Sequence, residues 1–454
     1  MAVDRTALPE VGPDPTFLFP GFERQRLANG LEVRLVEHGS MPIVSFALVV
    51  GGGSGSDPGG RDGLMGVVAD MVDEGTGDLG AIEVSEALAN IGGDYDVEVG
   101  ADAVVFTLTT LARFLGRGAD LFADMTTRPS LREADFERVR QLRRDRLRQL
   151  KDVPSAVAER AFLRLVYGSH PYGHLSIGDE ASLAALSLDQ VVQAHGAAFR
   201  PSNATLVVAG GLPAAELLSA AEHAFGSWQP PSPGGLTHGA DQPVPTGSRP
   251  RLALVPREGA AQSELRIGRL AARRDTPDYP SLVVMNAVVG GQFVSRINLK
   301  LREEKGYTYG ARTGFDWRKG LAPFVLHASV HTATTAEAVS DALHELDVLR
   351  GERPVTAAEL ELAKASLTRG YPQSFQTVPQ VARAICQLAL YNLPDAYFTN
   401  FGPAIHAVTI DDVTRAAQAH LDPATLTMLV VGDQTAVAAK LSDPRWPALE
   451  VLGA

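Results

Sequence analysis

Residues 187–211 read SLDQVVQAHGAAFRPSNATLVVAGG, and residues 409–433 read TIDDVTRAAQAHLDPATLTMLVVGD. Asp189 falls on Asp411, Pro201 on Pro423, Thr205 on Thr427 and Gly210 on Gly432, always 222 positions apart and without a gap. Each copy opens with a helical stretch, turns at a proline and ends in a short apolar run of strand length, at 206–208 and 428–431. A second echo precedes the first, with LVYGSHPY at 165–172 against LYNLP at 390–394. A gapless repeat of this kind means one module written twice.

Between the copies, the stretch from Trp228 to Pro250 is rich in Pro, Gly and polar residues and reads as a connector. We expect an N-terminal half at 1–230, a linker at 231–248 and a homologous C-terminal half at 249–454. In the first half, Asn29-Gly30 separates Arg26-Leu27 from the alternating Leu31, Val33 and Leu35, a hairpin signal because Asn-Gly tolerates positive φ. Residues 43–50 form a nearly continuous apolar strand, and helical periodicity follows at 63–74, 82–90, 133–150 and 155–167. Strands first, long helices next and a returning strand predict an α+β fold, each half a mostly antiparallel sheet covered by helices.

The chain has 454 residues, 45% of them hydrophobic, so more than one core is expected. Its formal net charge of −12 disfavours nucleic-acid binding, which rewards basic surfaces. The single cysteine, Cys386, sits in an apolar helical run and reads as a packed residue. No apolar run is long enough to span a bilayer, and residues 1–5 lack the basic and apolar regions of a signal peptide.

Residues 290–298 read GGQFVSRIN and residues 301–310 read LREEKGYTYG, placing Arg302 and Tyr309 seven positions apart. This segment resembles the C-terminal half of the pitrilysin/insulinase family of zinc peptidases, and the resemblance extends over most of the chain. It implies that Arg302 and Tyr309 are catalytic and substrate-binding, holding the carbonyls of the scissile peptide where oxyanion charge develops. The same resemblance places the family's H-x-x-E-H zinc helix at 63–76, with Leu64, Val67, Val68, Met71 and Val72 on the buried face. Its motif positions fall on Gly66, Ala69 and Asp70, and the register of the third ligand falls near Arg146. We therefore expect no zinc in this chain. A different metal set of Asp70, Asp73 and Glu74 on one helix face is weighed against a solvated helix end, which carboxylates usually form.

Other patterns carry bland expectations. Residues 51–60, GGGSGSDPGG, lack the Gly-Lys-Ser/Thr ending of a phosphate loop and read as a flexible connection. Gly290-Gly291 reads as a tight helix approach or a substrate loop. The arginine-rich helix at 131–151 reads as a solvated face with Phe136, Val139, Leu142, Leu147 and Leu150 inward. His170-Pro171-Tyr172 reads as a turn capping a helix. Residues 94–99, with Tyr95 and Val97, are the candidate sheet edge for peptide addition. Tyr307, two residues before Tyr309, would share its face on a strand.

The resemblance then implies a clam-shell heterodimer that hydrolyses unfolded peptides. A homologous partner chain would carry the zinc, and this chain would supply the Arg–Tyr pair. The alternatives are a structural member, like the core subunits of respiratory complexes, a homodimeric peptide-binding module, and a metallopeptidase with an unfamiliar metal set. Bacterial relatives of this type are often exported, which points to the cell envelope if a leader has been removed and otherwise to the cytoplasm.

Overall fold

The computed structural model describes residues 12, 17–229, 235–245, 249 and 251–453. The first half runs β1 (Glu23–Arg26), β2 (Glu32–Glu37), β3 (Ile43–Gly51), α1 (Leu64–Asp70), the two-residue strands β4 (Gly75–Thr76) and β5 (Leu79–Gly80), α2 (Ala81–Asn90), β6 (Asp94–Val99), β7 (Ala103–Leu111), α3 (Leu115–Thr127), α4 (Glu133–Lys151), α5 (Pro154–Tyr167), α6 (Glu180–Ala185), α7 (Leu188–Ala198), β8 (Ala204–Gly210) and α8 (Ala214–Phe225). The second half runs β9 (Leu252–Pro256), β10 (Gln262–Leu270), α9 (Tyr279–Val289), α10 (Arg296–Asn298) leading into a π-helical turn at Leu299–Glu304, β11 (Ala311–Phe315), β12 (Pro323–His331), α11 (Thr335–Val348), α12 (Ala357–Thr368), α13 (Val378–Leu390), α14 (Tyr397–Ala407), α15 (Ile410–His420), β13 (Thr427–Gly432), α16 (Gln434–Leu441) and β14 (Leu449–Val451).

Two six-stranded sheets result, ordered β1-β2-β8-β3-β7-β6 and β11-β12-β10-β13-β9-β14. Read in opposite directions they share one topology over five strands, with β8 in the place of β13, β3 of β10 and β6 of β11, and differ at the sixth, where β1 pairs antiparallel with β2 and β14 parallel with β9. The pairing β2–β8 is parallel, as is β9–β13, and the strands from β8 through β3 and β7 to β6 run antiparallel. The repeated segments fold alike: a capped helix (α7, α15), a 3-10 turn starting at Pro201 or Pro423, and a central strand (β8, β13).

The central strands β3, β8, β9 and β13 are buried on both faces, which explains their unbroken apolar runs. On β3, Val44, Phe46, Leu48 and Val50 face a core with the first half's helices, while Ala47 and Val49 face the other way. That second face is covered by α13 of the second half, through Val381, Ile385 and Leu388. Reciprocally, α5 of the first half places Phe162 and Val166 against Ala253, Val255, Leu429 and Val431 of the second sheet. The two halves thus exchange one helix each, and the exchanged helices end in the second echo seen in the sequence. Cys386 is buried on α13 within this contact.

Two local expectations need correction. Residues 51–60 are not a loose connection. Gly52, Gly53, Ser54, Gly55 and Asp57 are buried, and Ser54 and Gly55 donate backbone N–H groups to the carbonyls of Gly100 and Ala101. A Cβ on Gly53 would run into the Gly100 carbonyl, so the glycine there allows two backbones to touch. On α4, Leu142 is 58% exposed and Leu150 half-buried, while Arg143 is buried with Phe136, Val139 and Leu147. The spacing 136, 139, 143, 147 sets the inward face. Part of the expected linker, 231–234 and 246–248, lies outside the described residues. Its stretch 235–245 packs on the first half, with Gly239 lodged against the Gly55 carbonyl and the Tyr172 ring. His170 accepts the Tyr172 N–H and caps the 3-10 turn that follows α5.

Candidate functional site

The helix α1 starts after Asp57, whose carboxylate accepts the N–H groups of Gly63 and Met65, both at 2.8 Å. Burial pushes this carboxyl up to about 7, against the pull of those two donors. Along α1, Ala69 is fully buried hydrocarbon and Asp70 ends the helix. Arg143 reaches across from α4. Its Nη1 lies 3.1 Å from Asp70 Oδ2, and its Nη2 donates to the Ser176 carbonyl at 3.1 Å. A Cβ on Gly66 would collide with this guanidinium and with the Ser176 carbonyl. Arg143, not Arg146, is the α4 residue that meets α1; Arg146 is exposed and bonds Gln149 of its own helix.

A structural or catalytic zinc needs three or four Cys, His, Asp or Glu donors. The residues at this place do not fit one. Gly66 and Ala69 offer no donor, Asp70 is already paired, and a buried guanidinium lies over the helix. The Asp70, Asp73 and Glu74 set fits no better, because Glu74 forms a two-point ion pair with Arg138. Asp70 stays exposed at the helix end, with 44% of its side chain accessible, while Asp73 is partly buried and that burial pushes it up to about 6. Among the described residues no group of three or more His, Cys, Asp or Glu stands close enough to hold a metal ion.

β6 is the outer strand of the first sheet. Tyr95 and Val97 pack inward against the first core, and the Tyr95 hydroxyl is buried without a partner. Burial raises its pKa well above the usual tyrosine range, and Asp73 and Asp70 add to the rise. What this edge can offer a peptide is backbone N–H and C=O groups, with Asp94, Asp96 and Glu98 on the exposed face.

The other expected pair sits in the second half. Arg302 lies in the π-helical turn, a rare geometry that recurs at functional sites. Its guanidinium stacks over Phe293 at 4.3 Å, and its Nη1 is 3.1 Å from Glu303 Oε1 without hydrogen-bond alignment. Tyr309 is 94% exposed. Arg296 anchors the start of this helix through Glu359 at 2.6 and 2.8 Å and through the carbonyls of Arg353 and Pro354. Asn298 donates to the Phe293 carbonyl at 2.6 Å and accepts the Ala311 N–H at 3.1 Å, so one buried side chain ties the glycine loop to β11 on both sides of Tyr309. Gly290 and Gly291 make the tight approach expected of them. A Cβ on either would strike Thr313 or Asn286, and both line a cavity of about 530 Å³ together with Phe293 and Tyr309. Tyr307 does not share Tyr309's face: the segment between the π turn and β11 is not a strand, and Tyr307 packs toward the second core.

Two family models match the chain in tandem, insulinase (peptidase family M16) over residues 33–179 and the peptidase M16 inactive domain over residues 185–367. The chain belongs to the M16 (insulinase) family. It is 21% identical over 345 residues to the zinc protease YmxG of Bacillus subtilis, covering 76% of this chain and 82% of that protein. It is also 21% identical over 387 residues to the non-peptidase homolog YmxG of Helicobacter pylori, covering 85% and 87%. Its fold matches a peptidase M16 inactive domain from Pseudomonas fluorescens with a TM-score of 0.83 at 22% identity, over 91% of this chain and 98% of that one. A protease from Helicobacter pylori matches with a TM-score of 0.82 at 19% identity, over 91% and 100%. This M16 fold is two-domain, mixed α+β and rich in antiparallel pairing.

Of the site residues, Gly66, Ala69 and Asp70 share one helix, Arg302 and Tyr309 flank one loop, and Tyr95 and Val97 line the first core. Sequence reasoning missed Arg143 and Asp57. The 136, 139, 143, 147 spacing was the available signal for the first.

Proposed function

We propose that this chain is the metal-free subunit of a two-chain M16 peptidase that hydrolyses unfolded peptides. A homologous chain with an intact H-x-x-E-H supplies the zinc, and this chain supplies Arg302 and Tyr309. The observation that carries the reading is Tyr309, an almost fully exposed tyrosine on a loop held by the backbone bonds of Tyr307 and Ala311, seven residues after an arginine stacked over Phe293. Such a phenol contributes nothing to its own core, and its donor is free for a carbonyl oxygen. The Arg302 guanidinium stands ready to orient the same peptide. The backbone of β6 offers an edge along which an extended peptide aligns. Arg143 across α1 supports the division of labour, because a fixed cation there stands in for the metal's charge and leaves no ligand set.

A second reading, a peptide-binding member without turnover in any assembly, is favoured by the name of the Helicobacter pylori relative. The two separate in one experiment. The chain is purified alone and together with a zinc-bearing homologue, and peptide cleavage and zinc content are measured. We expect neither tight zinc nor turnover from the chain alone, and chelator-sensitive turnover from the pair that exceeds that of the homologue alone. Stoichiometric zinc with turnover in the isolated chain contradicts the proposal, and a pair no more active than its zinc-bearing member favours the second reading.

A further inference from the structure

A second cavity, of about 400 Å³, opens between α13, α14, the start of α9 and the 3-10 turn Tyr371–Phe375. Arg274 lines it. This arginine is only 5% exposed and takes part in no ion pair among the described residues. Its guanidinium lies in a box of tyrosines, 3.8 Å from the Tyr279 ring, 4.9 Å from Tyr397 and 5.6 Å from Tyr391, and its one side-chain hydrogen bond goes to the Tyr397 hydroxyl at 2.7 Å. Aromatic faces offset part of the desolvation of a buried cation, but a buried charge without a counter-charge remains unfavourable.

The rest of the wall points the same way. Arg383, exposed on α13, lines the cavity and also has no ion pair among the described residues. The Tyr371 hydroxyl is buried on the same cavity and lacks any partner. No carboxylate lines this space, while Glu98, Asp102 and Asp316 line the adjoining cavity that Arg274 and Arg383 also border. Phe375, Phe398 and Phe401 form its apolar side. The charged groups on this wall are both cationic, the Tyr371 hydroxyl, Ser374 and Gln387 add neutral polar groups, and the surface around them is aromatic.

We propose that this cavity binds the C-terminal aromatic residue of a peptide, with its carboxylate between Arg274 and Arg383 and its ring among the phenylalanines. Two guanidiniums and a phenol suit the planar, two-oxygen geometry of a carboxylate and give charge-assisted bonds. The phenylalanine rings offer edge-to-face contact to one more ring. The proposal does not rest on the Arg302–Tyr309 reading, since it concerns binding by this chain alone.

The test uses the full chain without any second subunit and measures the binding of N-acetyl-4-fluorophenylalanine by fluorine NMR. Its C-terminal amide and N-acetylglutamate amide, whose carboxylate is on the side chain, serve as the comparison probes. The free acid is expected to bind, the aromatic amide about tenfold more weakly, and the glutamate probe more weakly than the acid for want of a ring. Arg383→Met and Tyr371→Phe, which alter an exposed side chain and a single hydroxyl, should each weaken the acid about threefold or more and leave the amide unchanged. Arg274→Lys should weaken the acid further. Absence of binding by the acid, equal affinity of acid and amide, or an acid affinity unchanged in both Arg383→Met and Tyr371→Phe overturns the proposal. Tighter binding of the glutamate probe than of the acid also overturns it, in favour of side-chain carboxylates.

Discussion

A guanidinium lies across α1 because Gly66 leaves room for it. The absence of the zinc motif at Gly66, Ala69 and Asp70 is legible in the sequence, since each position can be read in register. The cation above them is legible only through the 136, 139, 143, 147 spacing, because by residue type every arginine of α4 looks equally solvent-bound. Gly66→Ala should destabilise the chain by about 1–3 kcal/mol, the range for forcing volume into a filled site. Combining it with Arg143→Ala should recover only part of that loss, because the Ser176 carbonyl still meets the new methyl. Urea unfolding of the two single variants and the double checks this, and full recovery would show that the Ser176 contact carries no weight. A second residue-scale outcome concerns His195, buried against Phe199 and pushed down to about 4 by burial. The folded state keeps it neutral while the unfolded chain protonates near 6.5. Its contribution is therefore full above pH 6.5 and is lost as pH falls toward 4, by roughly 3 kcal/mol. His195→Gln should make the stability less sensitive to pH across that window, measured by urea unfolding at pH 7 and 4.5.

At the scale of elements, most of the architecture could be read ahead. The hairpin at Asn29-Gly30 forms with Gly30 at φ +92°, and α1, α2, α4 and α5 fall close to their expected spans. The loop carrying Tyr309 could not be read, because strand and turn propensities of the stretch 305–310 are alike and the boundary is decided by Asn298, a residue on another element. Asn298→Ala removes the bonds to Phe293 and Ala311, so it should lower stability by about 1–2 kcal/mol and speed amide exchange at Ala311. Exchange at Ala311 unchanged from the parent would mean that the loop is held by its glycine contacts alone. The stretch at 51–60 misleads for a related reason. Glycine-rich sequence reads as slack wherever it occurs, and only the neighbouring backbone of 100–101 shows that these glycines serve close approach.

For the whole molecule, the repeat reveals two similar halves but not their exchange of helices. A helix that is apolar on one face does not record which sheet it covers, and α5 and α13 each cover the sheet of the other half. Residues 17–229 and 249–454 expressed separately should therefore each leave one sheet face bare and fail to give a sharp unfolding transition. Mixed or co-expressed, they should associate into a species with the circular dichroism of the intact chain. A separate half that unfolds cooperatively with the intact chain's midpoint would contradict this.

The proposed function extends the same picture of division and complementation to a second chain. This chain holds a fixed cation where its relatives' motif would hold zinc, and it presents Tyr309 outward with Arg302 half-buried over Phe293. The central claim is that this pair acts on a peptide bond cleaved with a second chain's metal. The most direct measurement is steady-state peptide turnover by the complex with a zinc-bearing homologue, comparing the parent with Arg302→Ala, Tyr309→Phe and the double variant. Assembly is monitored in parallel by sizing. Each single change should reduce turnover by about 10²–10³-fold with assembly intact, as loss of one donor at a developing oxyanion does. The double variant should lose less than the product of the singles, because both groups serve one transition state. Turnover equal to the parent in both single variants, with zinc bound and the complex assembled, would contradict the account.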